Sequence, residues 1–260
     1  MKLQNRLALI TGGGRGIGRA IALSFAREGA KVALVARTQL EITKAAEEIG
    51  RETGAGTFSF TCDVSDSQSV DRAFAAITEH FAQSPDIVVN NAGVAESSPF
   101  AKTSDQLWHR IIEINLSGTF FCTRAALPGM LQRQWGRIIN IASIAGRTGA
   151  PYVAAYTASK HGVIGLTRSL ALEVALKGIT VNAICPGYVE TDMAQYAVDN
   201  IVETTGMTVD EALAALKSTS PQRRLMSADE VAAVALLLAS DEGRGINGQA
   251  INVDGGAVLS

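Results

Sequence analysis

Seven short apolar runs, at 7–10, 31–36, 57–61, 87–90, 137–141, 180–184 and 250–253, are spaced along the chain and separated by longer helical patterns. The runs are continuous rather than alternating. A strand of that kind needs cover on both faces, as in a parallel sheet flanked by helices. Apolar residues at helical spacing fill 17–28, 39–52, 66–82, 104–134 with a break, 152–177 and 228–239. Five capping boxes are expected at helix starts: Thr38/Glu41, Ser65/Gln68, Thr103/Gln106, Thr208/Glu211 and Ser227/Glu230. Gly29 and Gly178 stand where helices end. This alternation predicts one doubly wound α/β domain, a seven-stranded, mostly parallel sheet with helices on both faces.

Composition narrows the function classes. Of 260 residues, 47% are hydrophobic and 18% charged, which excludes a disordered chain. A net charge of −2 gives no basic field, so neither nucleic acid nor a membrane surface is an expected partner. The longest apolar run, 231–239, falls well short of the ~20 residues of a spanning helix. The first residues carry no secretory pattern, and a cytoplasmic protein is expected. Cys62, Cys122 and Cys185 are odd in number and lack CxxC spacing, which fits reduced, buried thiols. His80, His109 and His161 lack ligand spacing, so no metal is indicated.

The first strand runs into Thr11-Gly12-Gly13-Gly14-Arg15-Gly16-Ile17-Gly18, and a helix follows. Glycines there let backbone N–H groups approach a pyrophosphate at the helix N-terminus. The spacing differs from G-x-G-x-x-G, but strand, loop and helix together favour a nucleotide over a plain turn. An acidic residue about 20 residues beyond such a loop would take the ribose 2′-hydroxyl of NAD. The second strand ends instead at Ala36-Arg37. Arg15 and Arg37 suit a 2′-phosphate, because guanidinium pairs bidentately with phosphate oxygens. NADP(H) is therefore favoured, with NAD(H) the alternative.

Tyr156 and Lys160 are four apart in Tyr-Thr-Ala-Ser-Lys, which puts both on one helical face. An ammonium beside a phenol favours the phenolate and lowers its pKa, the tuning that acid–base work requires. Ser143 lies at the end of the fifth strand, where ligands of doubly wound sheets bind. Its hydroxyl can donate to a carbonyl oxygen alongside the tyrosine.

These features together resemble the short-chain dehydrogenase/reductase family over essentially the whole chain. The matching motifs are Thr11 to Gly18, Asn90-Asn91-Ala92-Gly93, Asn115 in Ile-Asn-Leu-Ser-Gly, Ser143, Tyr156-x-x-x-Lys160 and Pro186-Gly187. The resemblance implies a single NAD(P)-binding Rossmann domain over 1–260. It implies a catalytic tetrad of Asn115, Ser143, Tyr156 and Lys160. Tyr156 is then the general acid in carbonyl reduction and Ser143 holds the reacting oxygen. Lys160 holds the nicotinamide ribose, and Asn115 positions a water that relays protons to it. The implied cofactor contacts are Gly12, Gly14, Arg15, Gly16, Ile17, Gly18, Arg37, Asp63, Val64, Asn90, Ala92, Gly93, Tyr156, Lys160, Pro186, Gly187, Val189 and Thr191. Ile184 flanks the nicotinamide. The family's usual Pro-Leu-Gly-Arg-Leu-Gly reads here Pro221-Gln222-Arg223-Arg224-Leu225-Met226. Arg224 takes the usual structural arginine, and Arg223 is extra.

The stretch at about 188–220 has two weak helical patterns and stands where a substrate lid would stand. Tyr188 and Met193 within it, with Glu96, Arg147 and Tyr152 after strand ends, are the candidate substrate contacts. The expected function is NADPH-dependent reduction of a ketone to a secondary alcohol, with a 3-oxoacyl thioester as substrate. The alternatives are a dehydrogenase of another hydroxy compound and a non-catalytic nucleotide sensor. The resemblance also implies a homotetramer. Helices near 104–134 and 152–177 would form one interface, and 255–260 would join another contact.

Overall fold

The computed structural model describes residues 1–259, so Ser260, at the end of the expected 255–260 contact, lies outside the described residues. The strands are β1 (Leu7–Thr11), β2 (Lys31–Ala36), β3 (Thr57–Thr61), β4 (Ile87–Asn90), β5 (Gly136–Ile141), β6 (Ile179–Pro186) and β7 (Ala250–Val253). They form one sheet in the order β3-β2-β1-β4-β5-β6-β7. Every neighbouring pair is parallel. Between β1 and β4 the connection reverses direction across the sheet. In such sheets that switch point opens a crevice at the strands' carboxyl ends.

The continuous apolar runs divide between two cores. In β1, Ala8 and Ile10 face one core, while Leu7 and Leu9 face the other. The first core takes Ile21 and Phe25 of α1 (Gly16–Arg27), Ile42 and Ile49 of α2 (Gln39–Thr53), and Val231 and Leu238 of α9 (Ala228–Ala239). The second takes Val70, Phe74 and Ile77 of α3 (Ser67–Phe81), Cys122 and Met130 of α5 (Gly118–Arg133), and Val174 of α6 (Ala154–Val174). Burying each such large apolar side chain stabilises the fold by roughly 1.5–3 kcal/mol. All three cysteines are buried and unpaired. Among the described residues no helix is long and apolar enough to cross a membrane.

The expected break within 104–134 is a π-helical turn, Glu113–Ser117, between α4 (Asp105–Ile112) and α5. The stretch after β6 holds α7 (Asp192–Thr205) and α8 (Val209–Ser218). They share a small core of Ala194, Val198, Ala212 and Leu216, which Leu225 joins.

The capping boxes divide. Those at Thr208/Glu211 and Ser227/Glu230 form in full. Thr38 caps α2 by position only, with no side-chain bond. At α3 the cap is Asp66, whose carboxylate accepts from Gln68 N–H, while Ser65 turns back to Asp63. At α4 it is Ser104, accepting from Leu107 N–H, rather than Thr103. In both cases the next residue along carries its own short side-chain oxygen and takes the cap. Gly29 and Gly178 adopt positive φ, +89° and +68°, as helix-ending glycines do.

Candidate active site

The glycine loop lies at the switch point. Gly12 and Gly16 have φ of +63° and +52°, a region open to glycine at little cost. Gly18 has no room for a side chain, since a Cβ would sit 2.4 Å from the Gly12 carbonyl. No side chain caps α1, so its first N–H groups are left for a ligand. A shallow anionic group, a pyrophosphate in shape and charge, fits this cradle.

Asn91 secures the loop, a role the sequence did not reveal. Its Nδ2 donates to the carbonyls of Thr11 (2.9 Å) and Gly12 (3.2 Å). The Thr11 hydroxyl accepts from the N–H of Asn91 and of Ala92, each at 2.9 Å. The ends of β1 and β4 are thereby locked together.

The side-chain amide of Asn90, an expected cofactor contact, is spent inside the protein. Its Nδ2 donates to Thr123 Oγ1 (3.0 Å) and Asn140 Oδ1 (2.8 Å), and its side chain is buried. The last side chain of β4 points into the protein, and the amide stitches β4 to β5 and α5. Asp63 accepts from Ser65 through both its N–H and its hydroxyl. Val64 packs against Gly118 of α5.

The arginines differ. Arg37, just beyond β2, is exposed and makes no ion pair among the described residues. Arg15 is engaged: its Nη1 lies 2.9 Å from Asp192 Oδ2, and its Nε lies 3.9 Å from Glu41.

At the ends of β5 and β6 four side chains converge. Ser143 leaves β5 in extended backbone, and its Oγ accepts from Ala145 N–H at 3.1 Å. Its hydroxyl neighbours the Tyr156 phenol and favours the phenolate. Cys185 lies close by, and burial pushes its thiol up to about 11. Lys160 is buried, with Nζ 5.6 Å from the centre of the Tyr156 ring. It donates to the Ile141 carbonyl at 2.7 Å. Burial brings the Lys160 amine down to about 8. Asn115 sits in the π-helical turn. It exchanges two bonds with the Val94 backbone, each at 2.9 Å, and donates to Ser159 Oγ at 3.1 Å. Ser159 in turn donates to the Tyr156 carbonyl at 2.7 Å. Gly93 passes between Asn115 and Lys160; a Cβ there would lie 3.3 Å from Asn115 Oδ1 and 3.6 Å from Lys160 Nζ.

The phenol corrects one expectation. Its pKa is raised, first by burial, with the Ser143 hydroxyl opposing and the nearby Tyr188 adding to it. The lysine does not offset desolvation here. Tyr156 therefore holds its proton at neutral pH.

Around the mouth, Tyr188, Met193 and Tyr196 are exposed. Tyr152 is more exposed still, at φ +66°, and its carbonyl accepts from Ser98 N–H. Two expected substrate contacts are otherwise occupied. Glu96 pairs with Arg110, and Arg147 donates to the Ala250 carbonyl on β7. Val189 is buried and pairs with Met226, while Thr191 caps α7 by position and touches the glycine loop at Gly16. Ile17 packs against the first core, and the N–H of Gly187 donates to the β7 carbonyl of Val253. Arg224 binds both carboxylate oxygens of Glu230, at 2.7 and 2.6 Å, as a structural arginine.

The fold and this cluster define an oxidoreductase acting on carbonyl and hydroxyl groups, and sequence comparison agrees. A family model described as enoyl-(acyl carrier protein) reductase matches residues 12–258. The chain is 38% identical over 259 residues to the 3-oxoacyl-[acyl-carrier-protein] reductase of Escherichia coli, covering all of both chains. It is 36% identical over 253 residues to a D-beta-hydroxybutyrate dehydrogenase of Rhizobium meliloti, with 96% and 98% coverage. A crystal structure of an actinorhodin polyketide ketoreductase variant with NADPH superposes at a TM-score of 0.94, with 38% identity and 97% of each chain covered. The chain belongs to the short-chain dehydrogenase/reductase family.

Proposed function

We propose that this chain reduces the 3-oxo group of an acyl thioester to a secondary alcohol, with NADPH as the reductant. The observation that carries the reading is the pairing of the Ser143 and Tyr156 hydroxyls beside buried Lys160, at the carboxyl end of the sheet. Two neighbouring hydroxyls can serve one oxygen together. That suits a carbonyl whose oxygen becomes an alkoxide at the carbon being reduced. It suits less an enoyl thioester, where charge develops on a carbonyl two atoms away from the acceptor carbon. The oxo reductase from Escherichia coli supports the same choice.

The bound reduced nicotinamide would supply the hydride for the carbonyl carbon. Tyr156 would protonate the oxygen as general acid. Ser143 would hold that oxygen in line through its own hydroxyl. Lys160, fixed by the Ile141 carbonyl, would hold the nicotinamide ribose and return a proton to Tyr156. Asn115, locked by Val94 and Ser159, would hold the relay water. The loop from Gly12 to Gly18 would bind the pyrophosphate, and Arg37 with Arg15 the 2′-phosphate.

The domain would work with 188–220 as a lid. Tyr188 and Met193 on it would face the acyl chain. Assembly as a homotetramer is part of the same reading, supported by apolar side chains left in solvent at Leu172 on α6 and at Leu176 in the 3-10 turn that follows it. A cytoplasmic location also belongs to it. The test compares rates of NADPH oxidation with acetoacetyl and crotonyl thioesters. Turnover of the oxo compound alone is expected; turnover of the alkene alone would overturn the assignment.

A further inference from the structure

Arg15 and Asp192 are 177 residues apart in sequence, and their side chains meet at 2.9 Å. Arg15 belongs to the glycine loop and Asp192 to the first turn of α7. Glu41, in the first turn of α2, stands 3.9 Å from the same guanidinium on another side. The loop and α7 also touch through Gly16 and Thr191, where a Cβ on the glycine would lie 3.2 Å from the threonine methyl. Arg37 has no carboxylate at ion-pairing distance among the described residues. Of the two arginines that suit a 2′-phosphate, one is therefore uncompensated and the other already carries acidic partners.

We propose that Asp192 is a cofactor-specificity residue: it competes with the 2′-phosphate of NADPH for Arg15, and so weakens NADPH binding without touching the dinucleotide. The inference rests on the reading that Arg15 and Arg37 take that phosphate. A guanidinium cannot give its strongest bidentate face to two anions at once. Recruiting Arg15 to the phosphate means giving up Asp192. NADH has no 2′-phosphate, makes no such demand, and binds with the ion pair intact. The pair is exposed, with 67% and 75% of the two side chains accessible, so solvent and salt screen it. Its effect is on the scale of exposed pairs, about two- to fivefold in affinity.

Direct binding tests this without turnover. Dissociation constants of the whole chain for NADPH and NADH are measured by nucleotide fluorescence, and for 2′,5′-ADP and 5′-AMP by calorimetry. The wild type, Asp192→Asn, Arg15→Gln and the double variant are compared. The expected result is tighter binding of NADPH and 2′,5′-ADP by Asp192→Asn, about two- to fivefold, with NADH and 5′-AMP unchanged. In the Arg15→Gln background the Asp192 substitution should change nothing. Unchanged NADPH binding in Asp192→Asn, or an equal shift for both dinucleotides, overturns the proposal while a wild-type preference for NADPH leaves the phosphate reading intact. A wild type that binds 2′,5′-ADP no better than 5′-AMP overturns the phosphate reading, and the role of Asp192 with it.

Discussion

Lys160 Nζ donates to the main-chain carbonyl of Ile141 at 2.7 Å, which ties the catalytic helix α6 to the end of β5. The amine is buried, and burial lowers it from 10.5 to about 8. Between those two values the unfolded chain binds a proton that the folded chain has lost, so raising the pH stabilises the fold. Relative to Lys160→Met, the wild type should gain up to about 3 kcal/mol as pH rises from 8 to 10.5. Below pH 8 the difference should be flat. Urea unfolding of both proteins across this range measures it; parallel pH profiles would contradict the buried-cation account.

Tyr156→Phe removes the proton donor and keeps the ring. Turnover should fall by at least about a hundredfold, the scale of general acid catalysis. NADPH affinity, read by fluorescence titration, should change little. Full activity in the variant would remove Tyr156 from the mechanism.

Arg37→Asp replaces the uncompensated cation beyond β2 with a carboxylate. A charge-assisted contact is lost and repulsion is added. The ratio of NADPH to NADH affinity should drop by about ten- to a hundredfold. An unchanged ratio would mean that Arg37 does not read the phosphate.

At the start of α9, Glu230 accepts from Ser227 N–H and from both outer nitrogens of Arg224. The Arg224 bond, then the Ser227 N–H, lowers its carboxyl from 4.5 to about 2. A depressed acid stabilises the fold above pH 4.5 and loses that contribution as pH falls from 4.5 to 2. Ser227→Ala should cost about 1 kcal/mol at neutral pH. Glu230→Gln should cost a similar amount, discounted for exposure, and its deficit should shrink over that acidic window. Denaturant midpoints at pH 7 and pH 3 check both; an equal deficit at the two pH values would contradict the charge argument.

The inner strands were legible because their residues are buried on both faces, while the edge strands β3 and β7 are only part-buried; the runs mark all seven to within two residues at either end. The site residues were legible where local spacing carries the chemistry, as with Tyr156 and Lys160 on one turn of α6. Contacts across the fold were not. Nothing local shows that Asn90 spends its amide on Asn140 and Thr123, or that Asn91 clamps the glycine loop. That Arg15 already carries a carboxylate was equally invisible, because Asp192 is 177 residues away. The Tyr156 pKa was misjudged for a related reason. Its neighbour Lys160 is visible in the sequence, whereas the packing that desolvates the phenol is not. The cap positions moved by one residue because Asp66 and Ser104 compete on equal terms with Ser65 and Thr103.

The central claim is carbonyl reduction with NADPH at Ser143, Tyr156 and Lys160. The most direct measurement is the initial rate of NADPH oxidation by the purified chain with acetoacetyl-CoA, run beside NADH. The account predicts formation of the 3-hydroxy thioester, faster with NADPH than with NADH. No turnover of the oxo thioester with either cofactor would contradict it.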